Sequence, residues 1–196
     1  MSAQYASYWL WAAWYATWMA AALWASRAVS RPRPGAGALH RIFATVGVVL
    51  MFIPARPGNW GLTARLWTDF PSADWALFAL VVLSFAFCWW ARIHLGKLWS
   101  GFVTTKADHR IIDTGPYGYV RHPIYTGVIL AAFFTACIQA SVTGFVGFAL
   151  IALGFWMTAR TEERFLRQEL GPEAYDAYSR RTPMILPLRR QARPTA

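Results

Sequence analysis

Cysteine is nearly absent from this 196-residue chain, which has only Cys88 and Cys137. Both lie inside apolar runs, which argues against a disulfide framework or a cysteine metal cluster and casts them as small buried apolar residues. Acidic residues are also scarce, nine against 19 lysines and arginines, and charged residues make up only 14% of the chain. A soluble domain carries about a quarter. The formal charge of +10 does not describe a nucleic-acid interface, because the basic residues stand at the edges of apolar runs rather than on one folded face. The four histidines are scattered, with no second His or Cys at ligand spacing, so no metal site is expected. A Walker sequence and a Ser/His/Asp pattern are both missing, and Gly115-x-x-Gly118 is too weak to be a phosphate loop. The first apolar run lacks a basic leader, so the expectation is a retained helix rather than a cleaved signal.

What is abundant is apolar surface: 57% of the residues are hydrophobic and 12 are tryptophan. Several runs approach the roughly 20 residues that cross a bilayer. The fold class predicted is all-α, a polytopic membrane bundle of about five transmembrane helices with a C-terminal cytoplasmic helical tail. The spans are placed at Tyr8 to Ala25, Leu39 to Ile53, Trp75 to Ala91, Ile124 to Ile138 and Val142 to Ala159. Five tryptophans on the first (Trp9, Trp11, Trp14, Trp18, Trp24) point to packing against other helices, with a lipid-like ligand as the other reading. Gly144, Gly147 and Gly154 on the fifth suit close helix approach. All lysines and arginines except Arg56 and Arg65 then fall on one side, which predicts the N-terminus outside and the C-terminus in the cytoplasm.

The tail is expected to continue the fifth helix to Leu170, where Gly171-Pro172 stops it. A short helix, Glu173 to Arg181, follows, with Tyr175 and Tyr178 on one face. Between Gly96 and Val120 an ordered polar loop is expected, and Arg189 to Ala196 form a basic end suited to anionic lipid headgroups.

Two polar clusters stand out. Residues Gly115 to Gly127 hold Arg121, His122, three tyrosines, two prolines and three glycines where a polar loop meets an apolar segment. Arg160-Thr161-Glu162-Glu163-Arg164 follows the last span. One helical hairpin joins them, so they should meet on the same side of the membrane. Each cluster alone also fits the charged flank of a spanning helix. Together they form a pocket of both charge signs with aromatic faces, suited to a zwitterionic cofactor with a planar base. Carboxylates can hold an ammonium, glycine-loop N–H groups can take a carboxylate, and Tyr rings can face an adenine. Ionisable groups beside membrane helices are costly and commonly functional.

The run Leu95-Gly96-x-x-Trp99, His109-x-Ile111-Ile112-x-x-Gly115-Pro116-Tyr117-x-x-Val120-Arg121-His122-Pro123-x-Tyr125-x-Gly127 resembles the isoprenylcysteine carboxyl methyltransferase family. The later Arg160-x-Glu162-Glu163, Gly171 and Tyr175-x-x-Tyr178-x-x-Arg181-x-Pro183 extend the resemblance over residues 95 to 187. It implies S-adenosyl-L-methionine as methyl donor, contacted by His109, Arg110, Ile111, Ile112, Tyr117, His122, Pro123, Ile124, Tyr125, and Glu162 or Glu163. It also implies Arg121 or Arg160 facing a lipophilic or lipidated acceptor at the bilayer. Residues 1–94 then form the scaffold and lipid-substrate side, and 95–196 the donor-binding half.

An acceptor carboxylate is ionised at neutral pH and needs no base; an arginine fork can hold it. An amine or thiol acceptor instead needs Glu163 or His122 as proton acceptor. A prenylated cysteine carboxylate, a phospholipid amine, and a small isoprenoid or thiol all remain open. The rival readings are a nicotinamide-dependent membrane sterol or steroid reductase, which shares an Arg-x-Pro-x-Tyr-like element, and a non-enzymatic membrane scaffold. The Glu-Glu pair and the Tyr-x-x-Tyr-x-x-Arg-x-Pro tail favour the methyltransferase.

Overall fold

The structure is a computed structural model that describes residues 1–23, 38–55, 61–68, 70–96 and 111–187. Trp24, the basic loop from Arg27 to Arg33, Trp60, the whole stretch 97–110 (with Trp99, His109 and Arg110), and residues 188–196 lie outside that set. Seven helices and no strand occur among the described residues: α1 (Ala3–Ala22), α2 (Ala38–Met51), α3 (Pro71–Leu95), α4 (Pro116–Tyr119), α5 (Pro123–Gln139), α6 (Val142–Glu169) and α7 (Pro172–Arg181). α3 and α6 are long and apolar enough to cross a bilayer; α2 and α5 are apolar but shorter.

Proline begins α3, α4, α5 and α7. This is the position where its missing N–H costs least and its fixed φ already suits the helix. α3 is longer at both ends than Trp75 to Ala91, since Pro71 starts it earlier and Gly96, at φ 55°, ends it. The turn between α5 and α6 is built by Ala140, a left-handed non-glycine residue at φ 52°. Ser141 then caps α6, its hydroxyl accepting from the Gly144 N–H at 3.1 Å.

Packing is set by small residues. A Cβ on Gly47 of α2 would lie 2.7 Å from the Gly147 carbonyl oxygen, and one on Gly154 2.8 Å from that of His40. α2 and α6 therefore touch backbone to backbone. On α1, Trp11 stands edge-on to Phe85 of α3 with ring centres 4.8 Å apart. Its indole N–H donates to Thr135 Oγ1 of α5 at 3.0 Å. Trp14 stacks on Phe85 at 4.7 Å, and Trp18 meets Trp89 at 5.4 Å. Three of the four α1 tryptophans thus anchor the helix to its neighbours, while Trp9 is exposed. Cys88 is fully buried beneath Gly127, where α3 crosses α5.

At the end of the bundle away from the two polar clusters, Gln139 is fully buried and donates to the Tyr8 hydroxyl and the Met51 carbonyl, tying α5 to α1 and α2.

Candidate functional site

The cation of Arg121 is the hub of the opposite end. Val120 closes α4, its N–H donating to the Pro116 carbonyl, and Arg121 and His122 link it to α5 with backbone N–H groups that no helix pairs. Residues after α7 pair them: the Arg121 N–H donates to the Pro183 carbonyl at 2.9 Å, and the His122 N–H to that of Met184 at 3.0 Å. One turn into α5, the Thr126 hydroxyl donates to the Ile185 carbonyl at 2.7 Å. The Arg121 side chain reinforces the same seam. Its Nη1 donates to the carbonyls of Ser179 (2.9 Å) and Thr182 (2.5 Å), while Nε (2.7 Å) and Nη2 (2.5 Å) meet Glu163 Oε1. The guanidinium is thus spent on one carboxylate and two carbonyls.

α6 delivers Glu162 and Glu163 to the α5 N-terminus. The His122 ring lies parallel to that of Tyr125, with centres 5.3 Å apart. Its Nδ1 stands 3.6 Å from Glu162 Oε2. Its Nε2 stands 3.3 Å from Glu163 Oε1 but off the hydrogen-bonding direction, so it is close without a formed bond. The Tyr125 hydroxyl donates to Glu162 Oε2 at 2.8 Å. Burial pushes the Glu163 carboxyl up, but the His122 imidazole and the Arg121 charge outweigh it and hold the group below its ordinary value. Burial, aided by the Glu162 charge, holds the Tyr117 phenol well above its own, so it is a neutral hydroxyl at any working pH.

Tyr117 is set by a tight turn. Gly115 has φ 56°, a backbone conformation open to glycine, and it starts the single turn of α4. The Tyr117 carbonyl accepts from the Tyr178 hydroxyl of α7 at 2.8 Å. Its own hydroxyl is buried without a hydrogen-bond partner among the described residues, as is His122 Nε2. A buried unpaired group of this kind costs about 1–3 kcal/mol.

The structure brings Tyr117, Arg121, His122, Tyr125, Glu162 and Glu163 together. Pro123 is buried as the first residue of α5, and the Ile124 carbonyl accepts from the Cys88 thiol at 3.4 Å, a packing role. Ile111 and Ile112 are half-buried in the approach to α4. Arg160 is exposed, its guanidinium lying over the Trp156 ring at 5.4 Å. His109 and Arg110 lie outside the described residues. Sequence reasoning passed over the segment Thr182 to Ile185, whose backbone carbonyls do the work and leave no mark in residue identity. Among the described residues no group of three or more His, Cys, Asp or Glu is placed to hold a metal ion.

Charge and orphaned donors fit a cationic, zwitterionic ligand such as S-adenosyl-L-methionine. Around His122, among the described residues, two carboxylates meet the Arg121 guanidinium, and the hydrogen bond to Glu162 is at Oε2, leaving Oε1 without one. A dinucleotide phosphate needs the reverse balance.

Residues 76–168 match the isoprenylcysteine carboxyl methyltransferase (ICMT) family. Among curated proteins, the chain is 31% identical over 101 residues to a protein-S-isoprenylcysteine O-methyltransferase of Schizosaccharomyces pombe, covering 50% of this chain and 42% of that one. It is 32% identical over 95 residues to the cobalt-zinc-cadmium resistance protein CzcN of Cupriavidus metallidurans (47% and 43%). It is also 30% identical over 98 residues to the nickel-cobalt-cadmium resistance protein NccN of Alcaligenes xylosoxydans xylosoxydans (47% and 44%). The matched part spans less than half the length of each of these relatives.

Proposed function

We propose that the chain, whose residues 76–168 match the isoprenylcysteine carboxyl methyltransferase family, is an integral-membrane methyltransferase. In this reading it uses S-adenosyl-L-methionine, and its acceptor is a lipophilic molecule bearing a carboxylate of the isoprenylcysteine kind. The observation that carries this is the excess of carboxylate around two unpaired buried polar atoms, Tyr117 Oη and His122 Nε2. Residues 1–94 supply the scaffold and lipid side, and 95–196 hold the donor. The bundle has five spans, with the N-terminus outside and the site at the cytoplasmic face.

When bound, the donor supplies an activated methyl on a sulfonium: one C–S bond breaks, one bond to the acceptor forms, and a neutral thioether leaves. The protein's work is electrostatic and geometric. Glu162 would meet the donor's positive charge, while Tyr117 and His122 would offer hydrogen bonds to its polar groups. The Tyr125 hydroxyl keeps the Glu162 carboxylate turned inward. Arg121 positions Glu163 and the strap from Thr182 to Ile185, which leaves Arg160, exposed at the end of the last span, to meet an acceptor carboxylate. Such an acceptor needs no proton removed, so orientation in a water-poor site accounts for most of the gain, on the order of 7–11 kcal/mol at best.

Isothermal titration of detergent-purified protein with S-adenosyl-L-homocysteine, the demethylated product, and with NADPH tests the reading. Binding of the first and not the second is expected; the reverse overturns it. Incubation with labelled donor and total lipid extract then identifies the acceptor.

A further inference from the structure

We propose that His94, at the end of α3, is a positioning residue for the donor site, acting through Tyr117. The inference rests on the methyltransferase reading and adds to it a residue from the N-terminal half. Three observations converge on this ring. Its Nε2 lies 3.0 Å from Thr114 Oγ1, just ahead of α4. It lies nearly parallel to the Tyr117 ring, at 24° with centres 6.3 Å apart. It also fills the space where a side chain at position 115 would start, since a Cβ on Gly115 would stand 2.7 Å from its Cε1 and 2.9 Å from its Nδ1.

The imidazole therefore holds one side of the turn Thr114-Gly115-Pro116-Tyr117. The Tyr178 hydroxyl holds the other, through the Tyr117 carbonyl. Between these two holds the Tyr117 phenol is pointed into the interior with its hydroxyl unpaired. Without the His94 ring the turn can rotate about Gly115, whose backbone is free to do so, and the hydroxyl loses its fixed direction. A hydrogen bond held in one direction by its surroundings binds a ligand better than one that must be ordered on binding. His94 itself is exposed, so its loss removes little burial from the core. The same ring links α3 to the donor-binding turn, joining the two halves of the chain at the site.

The test measures S-adenosyl-L-homocysteine affinity and thermal midpoint in detergent for wild type, His94→Ala, His94→Gln, Gly115→Ala and the double variant His94→Ala/Gly115→Ala. Expected is a five- to tenfold weaker Kd for His94→Ala, roughly one lost oriented hydrogen bond, with little change in thermal midpoint. Partial recovery is expected in His94→Gln, whose amide can still reach Thr114. The added methyl of Gly115→Ala should harm affinity less when His94 is already Ala, because its clash with the ring is gone. An unchanged Kd in His94→Ala, or strictly additive effects of the two substitutions, overturns the proposal. Wild type that binds no S-adenosyl-L-homocysteine brings down the methyltransferase reading and this inference with it.

Discussion

Arg121 shows how one side chain can carry both charge balance and architecture. Its Nη1, Nε and Nη2 atoms reach α6, α7 and the strap beyond it at once. A lysine keeps the charge but has no planar fork to span these partners. Arg121→Lys is therefore expected to lower stability by about 1–3 kcal/mol, the range for buried polar groups left unpaired. Arg121→Ala, which strands the Glu163 charge, should lose about 3–5 kcal/mol; thermal unfolding in detergent measures both. Glu162 should behave differently. Its side chain is a quarter exposed, so Glu162→Gln is expected to leave the thermal midpoint nearly unchanged while weakening S-adenosyl-L-homocysteine binding about tenfold. Glu163 sets the acid limit. Its carboxyl lies below the ordinary value of 4.5 in the folded state. Its contribution is therefore complete above that value and is lost as the pH falls through the depressed one. The stability gap between wild type and Glu163→Gln should hold at pH 7 and close only in that acid window.

At the scale of the helices, the glycine contacts between α2 and α6 decide the packing. Gly147→Ala places a methyl 2.7 Å from the Gly47 carbonyl oxygen and 2.8 Å from the Met51 nitrogen, both backbone atoms that cannot swing aside. A loss of about 1–3 kcal/mol is expected, as for other overpacked contacts, with donor affinity following only as far as the fold loosens. Most of these elements could be read from the sequence. Pro123 at the start of α5 and Gly171-Pro172 between α6 and α7 placed those bounds to within a residue or two, because such signals act locally, whereas α3 runs four residues further at each end than its apolar run suggested. Arg121, His122, Glu162 and Glu163 stood out for a related reason, being charged or polar in a chain that has few such residues. The single turn of α4 was missed although Gly115-Pro116 announces it, since one turn carries no periodicity. The strap from Thr182 to Ile185 and the place of His94 depend on backbone carbonyls and a long-range ring contact, which leave no pattern along the chain.

For the whole molecule, the lysine and arginine bias predicts an orientation that labelling can check. In a chain with Cys88 and Cys137 changed to alanine, single cysteines at Ser2 and Leu62 should react with an impermeant reagent from outside. One at Gln168 should react only after the membrane is opened. The opposite pattern would put the site on the wrong face for a cytosolic donor. The seam where Gly47 meets Gly147 has a bearing on traffic as well as on stability. Two main chains in direct contact leave no gap for a hydrocarbon tail, so that wall of the bundle is sealed to lipid. On the methyltransferase reading, an acceptor diffusing in the bilayer would have to reach the donor from another flank, and substitutions that change which lipids are accepted should map there rather than along α2 and α6.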